Sequence, residues 1–574
     1  MNAKAAKSPR RTLIHGGSVL PCDGVSAQQE ALVIEGGRIV AFGTLADMQD
    51  VAGPGAERMD THGATVLPGL VDTHPHAMHF AAMALPLVDL SDARNHDEIV
   101  ARIAARARTT PKGEWILCSP VGEAHYFIRR SWRHLEESRL PDRHVLDRGT
   151  SEHPVMIQAW APRIPNTVAL NSMGLQRIGI SHYTPARVCN VWVEKAEDGT
   201  TPTGVLHGSV TNYYTDDPFW LQVRSRILGP PPDALWEAAG RVGMQEMNRL
   251  GATTLYESHI MEPAHVEAYR ALYRQGALTC RVKTSLEVAS QAFDPHYMPT
   301  NPEVDAMLRL ALSSTDTTDP LLRHDGATIA RSGPCFPGFM NWHEPFRNPY
   351  GELTNGYLFL PKWVEERTVD FCIEHGLRFN SVVGTPKDQD ALLHSIGRHP
   401  VSAVRDRGWI AQHAIITCES HARRYADLGM RITTSKGFHW GKGDMYGDRL
   451  GRGVWKDLVP LRRLLDHGIP VGCGTDWGPR NIFEQMQLAV TCEFAGSGHR
   501  NLDSGQAITR EESLLLWTRD AARVLDWQGV GTLAPGHHAD FIFTDRNPLT
   551  CPIEDLPSTT VLRTVMDGRT VYQK

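Results

Sequence analysis

Short apolar runs that alternate with helical stretches fill the middle of this chain, and that rhythm limits its fold more than any other feature. The runs are Gly251 to His259, Arg281 to Leu286, Gly326 to Ala330, Leu377 to Val383, Trp409 to Ala414, Met430 to Ser435 and Ile469 to Asp476. An amphipathic helix from Ala234 to Leu250, with Leu235, Ala238, Val242, Met244 and Leu250 as its apolar positions, precedes the first of them. An earlier apolar run begins at Thr65, and helical spacing follows it at Asp97 to Arg108. Strands separated by helices pair in parallel, and this many predict closure of the sheet into a TIM-type (β/α)8 barrel.

Both ends of the chain read differently. Thr12 to Gly43 alternates β-prone runs with turns, and Gly36-Gly37 between Ala31–Glu35 and Arg38–Phe42 is a hairpin signal. Near the C-terminus, Ala539 to Phe543 and Thr564 to Tyr572 have the same texture, with Asp567-Gly568 as a turn. His537-His538, just before the first of these strands, is read as surface. Two β segments around an α/β body predict that the termini meet in one small β-sandwich. From about Glu114 to Tyr214, Pro, Gly and aromatic residues replace long helical periods, which marks an insertion in the barrel. The expected division is 1–66 and 530–574 for the sandwich and 67–529 for the barrel, with the insertion at about 114–214.

Catalytic side chains in such a barrel sit at the C-terminal ends of different strands. The stretch Thr65 to Phe80, TVLPGLVDTHPHAMHF, places His74 and His76 there. Residues two apart on an extended strand face the same side, so both imidazoles can address one metal ion. Later runs end in His413 and in Asp476. Three His and one Asp suit one divalent ion, zinc first among them. Each residue also has a structural alternative. His413 can be a buried histidine bonded to a carbonyl, and Asp476 can cap the helix beginning near Asn481.

The P-G-L-V-D-T-H-P-H run resembles the first-strand signature of the metal-dependent amidohydrolase superfamily. The rest of the chain, from about Leu13 onward, resembles amidohydrolase family 3, the branch that includes N-substituted formamide deformylases. Asn171-Ser172-Met173-Gly174-Leu175 matches its N-S-x-x-L, and the stretch from Asp198-Gly199 to Leu206 matches its D-G…G-x-L turn. Gln412-His413 resembles its I-E-H with Gln in place of the acid, and Gly472 to Asp476 matches G-x-x-[ST]-D. Gly531 to Asp540 matches its closing sandwich. The resemblance implies a TIM-type barrel with metal at the C-terminal mouth, a β-rich insertion after its first helix and a sandwich from both chain ends. It also implies hydrolysis of an amide-like C–N bond in a small molecule by metal-activated water. Asp476 would exchange the proton, and His413 would bind metal or polarise the carbonyl.

This chain departs from the family in three places. Thr328 stands where relatives carry a metal-bridging Lys, and Ser381 lies where they place a His. Ala161 to Pro165 lacks the His that relatives carry before N-S. One metal, held by His74, His76, His413 and Asp476, is therefore expected rather than two. Glu257 and His259 are candidates to complete the shell or to contact substrate; their alternatives are a salt bridge and a capped strand end. His439 and Trp342 are further substrate-contact candidates, and the aromatic loop Pro334 to Tyr350 is a candidate pocket lining. Metal-assisted decarboxylation, C–C hydrolysis and a non-catalytic binding barrel remain open as other uses of the scaffold.

Composition narrows the partners. A net charge of −6 over 574 residues gives no basic surface for nucleic acid. No apolar run is long enough to span a bilayer, and the basic start lacks the apolar core of a secretory signal. Ten scattered Cys without C-x-x-C pairing read as reduced thiols in a cytoplasmic protein, not as a disulfide frame or a Cys-rich zinc site. The sequence does not fix the oligomeric state, a homodimer included.

Overall fold

Eight strands form one sheet in which every neighbour is parallel. They are β1 (Leu70–Asp72), β2 (Ala252–Glu257), β3 (Arg281–Glu287), β4 (Leu322–Ala330), β5 (Phe379–Val383), β6 (Ile410–His413), β7 (Arg431–Thr434) and β8 (Val471–Cys473), and they lie in that order. The two edges of the sheet meet. Thr73 N donates to Cys473 O at 3.1 Å, and Asp476 N donates to His74 O at 2.9 Å. The computed structural model describes residues 11–123, 128–160, 164–211, 217–227, 232–290, 297–332 and 340–574. The first ten residues, the stretch 161–163 before Asn166 and the segment 333–339 of the aromatic loop lie outside them.

Closure of the ring depends on small residues at the β1–β8 seam. A Cβ on Gly474 would fall 2.6 Å from the Cβ of His74, and one on Gly472 would fall 2.7 Å from Thr73 Cγ2. The strands are buried on both faces because helices cover the outside, as parallel sheets require. The helix before β2, Asp233–Arg249, shows the same use of glycine. Its buried face is Trp236, Ala239, Gly240, Gly243, Met244 and Met247, while Ala238 and Val242 are exposed, contrary to the apolar face read from the sequence. Close approach to the helix Ala77–Ala84 sets that face. A Cβ on Gly243 would lie 2.5 Å from Ala77 O, so the contact selects glycine over bulk.

The chain ends pack into two further sheets. One contains Thr12–His15, Ala31–Glu35, Arg38–Gly43 and Glu57–Asp60. The other interleaves the termini: Phe541–Thr544 pairs antiparallel with both Thr65–Pro68 and Val561–Met566. The Gly36-Gly37 and Asp567-Gly568 turns have positive φ at both positions, the conformation of a two-residue hairpin turn. Ile14, Leu32, Val66, Phe541, Phe543 and Val565 share one apolar core between these sheets. The fully buried Arg281, at the start of β3, joins barrel to sandwich by pairing with Asp540 at 2.7 Å and with Asp567. The β-rich insertion is a six-stranded sheet between Ile116 and Gly208. No described helix is long and apolar enough to cross a membrane.

Candidate active site

The metal-type cluster begins where β1 stops. Pro75 has no N–H for a ladder bond, so the strand ends at Asp72 and the chain turns. His76 then takes φ 49°, ψ 36° and forms the N-cap of the helix Ala77–Ala84. His74 and His76 thus converge from a turn, not from the same side of an extended strand as the sequence reading had it. Their ring centroids are 4.7 Å apart, edge to face.

His413, the last residue of β6, brings its ring to 4.6 Å from that of His74. Asp476, three residues past β8, places Oδ1 3.7 Å from His76 Nε2 and Oδ2 4.0 Å from His413 Nδ1. One ligand-type atom from each of His74, His413 and Asp476 lies within 4.8 Å of the others. All four side chains are buried. Three of the four residues have left-handed backbones: His76 at φ 49°, His413 at φ 69° and Asp476 at φ 44°. Non-glycine residues pay on the order of 1 kcal/mol for that region, and such strain concentrates at functional sites.

The structural alternatives for His413 and Asp476 do not account for them. The helix Ile482–Thr491 is capped by Asn481, whose Oδ1 accepts from Phe483 N and Glu484 N. His413 faces a carboxylate and two aromatic rings, His74 and Phe438. Burial drives the proton affinities of His74, His76 and His413 well below the ordinary imidazole value, with mutual repulsion reinforcing the shift. Burial pushes the Asp476 carboxyl up, against the nearby charges of Lys442 and His259.

Polar groups behind the cluster orient it, and several were not foreseen from the sequence. Asp72 accepts from His74 N at 3.0 Å and from Thr475 Oγ1 at 2.7 Å, tying both halves of the cluster together. Burial raises Asp72 to about 6, while the Thr475 bond works against it. His259 Nδ1 donates to Glu287 Oε2 at 2.8 Å, and its ring stacks 6.0 Å from His74 and meets His76 edge to face at 5.4 Å. Glu287 is the final residue of β3, one position beyond the run that the sequence marked. Phe438 and Lys442 lie on the helix Lys436–Leu450 one turn apart, and Lys442 Nζ sits 4.9 Å from the Phe438 ring. Their i, i+4 spacing was the available signal.

Of the remaining candidates, Glu257 borders the cluster and the others sit elsewhere. Glu257 Oε1 accepts from Met78 N and from Tyr269 Oη at 2.9 Å, so its carboxylate caps the helix that His76 opens. Burial raises it to about 7. It also lies with His76 and His79 in a second group whose ligand-type atoms fall within 4.8 Å. His439 tilts over Phe494 at 4.7 Å. Trp342 packs on the barrel core, and its carbonyl accepts from Lys387 Nζ. The Thr328 hydroxyl bonds Ser285 Oγ at 2.8 Å inside the barrel.

A divalent cation fits this donor set. Both ring nitrogens of the buried His74 lack a hydrogen-bond partner. An unsatisfied buried polar group costs about 1–3 kcal/mol, which a cation at the cluster offsets. Neutral imidazoles are the ligand form that metals require.

A parallel eight-stranded barrel with such a cluster at its C-terminal mouth marks an enzyme of the (β/α)8 class. The amidohydrolase family model matches residues 57–572, and the chain belongs to the amidohydrolase family. An N-substituted formamide deformylase of Arthrobacter pascens is 24% identical over 98% of this chain and 99% of its own length. The putative amidohydrolase YtcJ of Bacillus subtilis is 22% identical over 98% of this chain and all of its own. An uncharacterized metal-dependent hydrolase from Pyrococcus furiosus superposes with a TM-score of 0.67 at 20% identity, covering 94% of this chain and 100% of its own. Atrazine chlorohydrolase TrzN of Arthrobacter aurescens TC1, solved with zinc, gives 0.52 at 16% identity over 98% of this chain and 95% of its own.

Proposed function

We propose that this amidohydrolase cleaves the C–N bond of a small amide or formamide, with one divalent ion, zinc by preference, held by His74, His76, His413 and Asp476. The barrel, residues 67–529, carries the chemistry. The convergence of three neutral imidazoles and one carboxylate around the partnerless nitrogens of His74 carries this reading. The family, and the likeness to a formamide deformylase over the full chain, support it.

A bound ion supplies Lewis acidity and brings the deprotonation of water near neutral pH. Asp476 has a carboxyl pushed up by burial, so it can take a proton from water and return it to the leaving nitrogen. His259 donates Nδ1–H to Glu287, which fixes its ring beside His74 and His76. Phe80 and Trp477, packed edge to face at 5.0 Å, and Phe438 against His413 keep bulk water from the charges.

Chelator-treated protein, reconstituted with zinc and assayed on N-substituted formamides, tests the proposal. Release of amine and formate that vanishes on chelation and returns with zinc is the expected result. Hydrolysis at an undiminished rate in fully stripped protein would overturn it. Release of CO2 without amine would move the enzyme to decarboxylation.

A further inference from the structure

Outside the metal-type cluster, the helices that follow β5 and β6 bring a thiol, an imidazole and a carboxylate into line. Cys418 is the N-cap of the helix Glu419–Asp427. Its Sγ lies 3.0 Å from His421 Nδ1, and His421 Nε2 lies 2.9 Å from Asp390 Oδ1. Asp390 belongs to the helix Pro386–Ile396, and its other oxygen meets His343 Nε2 at 2.9 Å. Ser420 Oγ is 3.1 Å from the same sulfur. Both helices start from the C-terminal ends of their strands, so this group occupies the rim of the barrel mouth.

Helix capping does not explain the arrangement. An N-cap side chain ordinarily accepts a backbone N–H two or three residues on, a task for Ser, Thr, Asp or Asn. Thr385 does this for the neighbouring helix by accepting from Asp388 N. Cys418 makes no such bond; its sulfur turns to the imidazole instead. His421 is buried while Cys418 is partly exposed, so the base is shielded and the thiol can be reached.

We propose that Cys418 is an activated nucleophilic thiol and a site of covalent modification by soft electrophiles. Asp390 accepts the Nε2–H of His421 and fixes the tautomer whose Nδ1 lone pair faces sulfur. His421 takes the thiol proton, and the first-turn N–H groups of the helix and the Ser420 hydroxyl favour the resulting anion. With iodoacetamide as electrophile, the sulfur forms an S–C bond as the C–I bond breaks. Iodide leaves, and the thiol proton remains on His421 until solvent removes it.

Exposed Cys189 is an internal reference in the same molecule. The test is limited iodoacetamide labelling of the native enzyme at pH 7, with site-resolved mass spectrometry. Cys418 is expected to react at least about tenfold faster than Cys189. Asp390→Asn, a change at a half-exposed carboxylate, should lower the Cys418 rate several-fold and leave Cys189 unchanged. His421→Gln should bring the two rates together. Cys418 labelling no faster than Cys189 in the native enzyme, or a Cys418 rate untouched by Asp390→Asn, overturns the proposal.

Discussion

Asp72 Oδ2 accepts a 2.7 Å hydrogen bond from Thr475 Oγ1, a residue 403 positions away in the chain. The bond crosses the seam where the eighth strand meets the first. His74 and Asp476 each follow one of its partners by a residue or two, so the pair sets the spacing of the cluster. Thr475→Val keeps the shape and removes the donor, leaving a buried carboxylate short of a bond. A loss of about 1–3 kcal/mol in stability is expected, with weaker metal retention. Denaturant unfolding and a chelator competition measure the two. An unchanged unfolding midpoint would show that the bond is incidental.

Gly474 is a second control on that spacing. A methyl group at this position would lie 2.6 Å from both Cβ and N of His74. Backbone must move to admit it, so Gly474→Ala is expected to displace His74 and cost about 1–3 kcal/mol. Metal content of the purified variant, read beside its melting temperature, checks this. Full metal occupancy with native stability would contradict the account.

Glu287 fixes His259 from behind, as carboxylates fix metal-binding histidines. Glu287→Gln retains the shape and loses the charge. If His259 serves the bound ion, metal affinity should fall about 10–100-fold, while unfolding in chelator stays near wild type. Unaltered affinity combined with a raised KM would instead assign His259 to substrate.

Acid should weaken this fold through histidines outside the metal-type cluster as well. Burial lowers His265 and His324 from 6.5 to about 4. His265 Nδ1 accepts from Glu262 N, a bond available only to the neutral ring. Between pH 6.5 and 4 the unfolded chain binds protons that the folded chain refuses, so stability falls as pH falls. The difference corresponds to about 3 kcal/mol per histidine once pH reaches 4. Asp72 and Glu257, both raised by burial, act in the opposite direction over part of that window. Comparing the pH slope of wild type with His324→Gln isolates one contribution; parallel slopes would refute it.

Much of the architecture was legible because it rests on periodicity. Each barrel strand overlaps an apolar run, although β4 starts at Leu322, ahead of the run from Gly326, and the hairpin turns carry the glycines that their φ values demand. The gathering of His74, His76, His413 and Asp476 was also readable, since strand ends in a closed ring share one mouth. Orientation was not. Whether His439 or its neighbour Phe438 faces the cluster depends on a helical rotation that one residue of slip reverses. Glu287 escaped because polar strand ends look like loops in a sequence. The face of Asp233–Arg249 was misread because close helix contact selects for smallness rather than hydrophobicity.

The strand Thr65–Pro68 leads directly into β1, yet its antiparallel neighbour is Phe541–Thr544. On the ribosome, this strand can pair early with Ser18–Val19, but it must wait for nearly the whole polypeptide to gain its second neighbour. The centre therefore matures late, and shortened products that stop before residue 541 would emerge with an unsecured first strand.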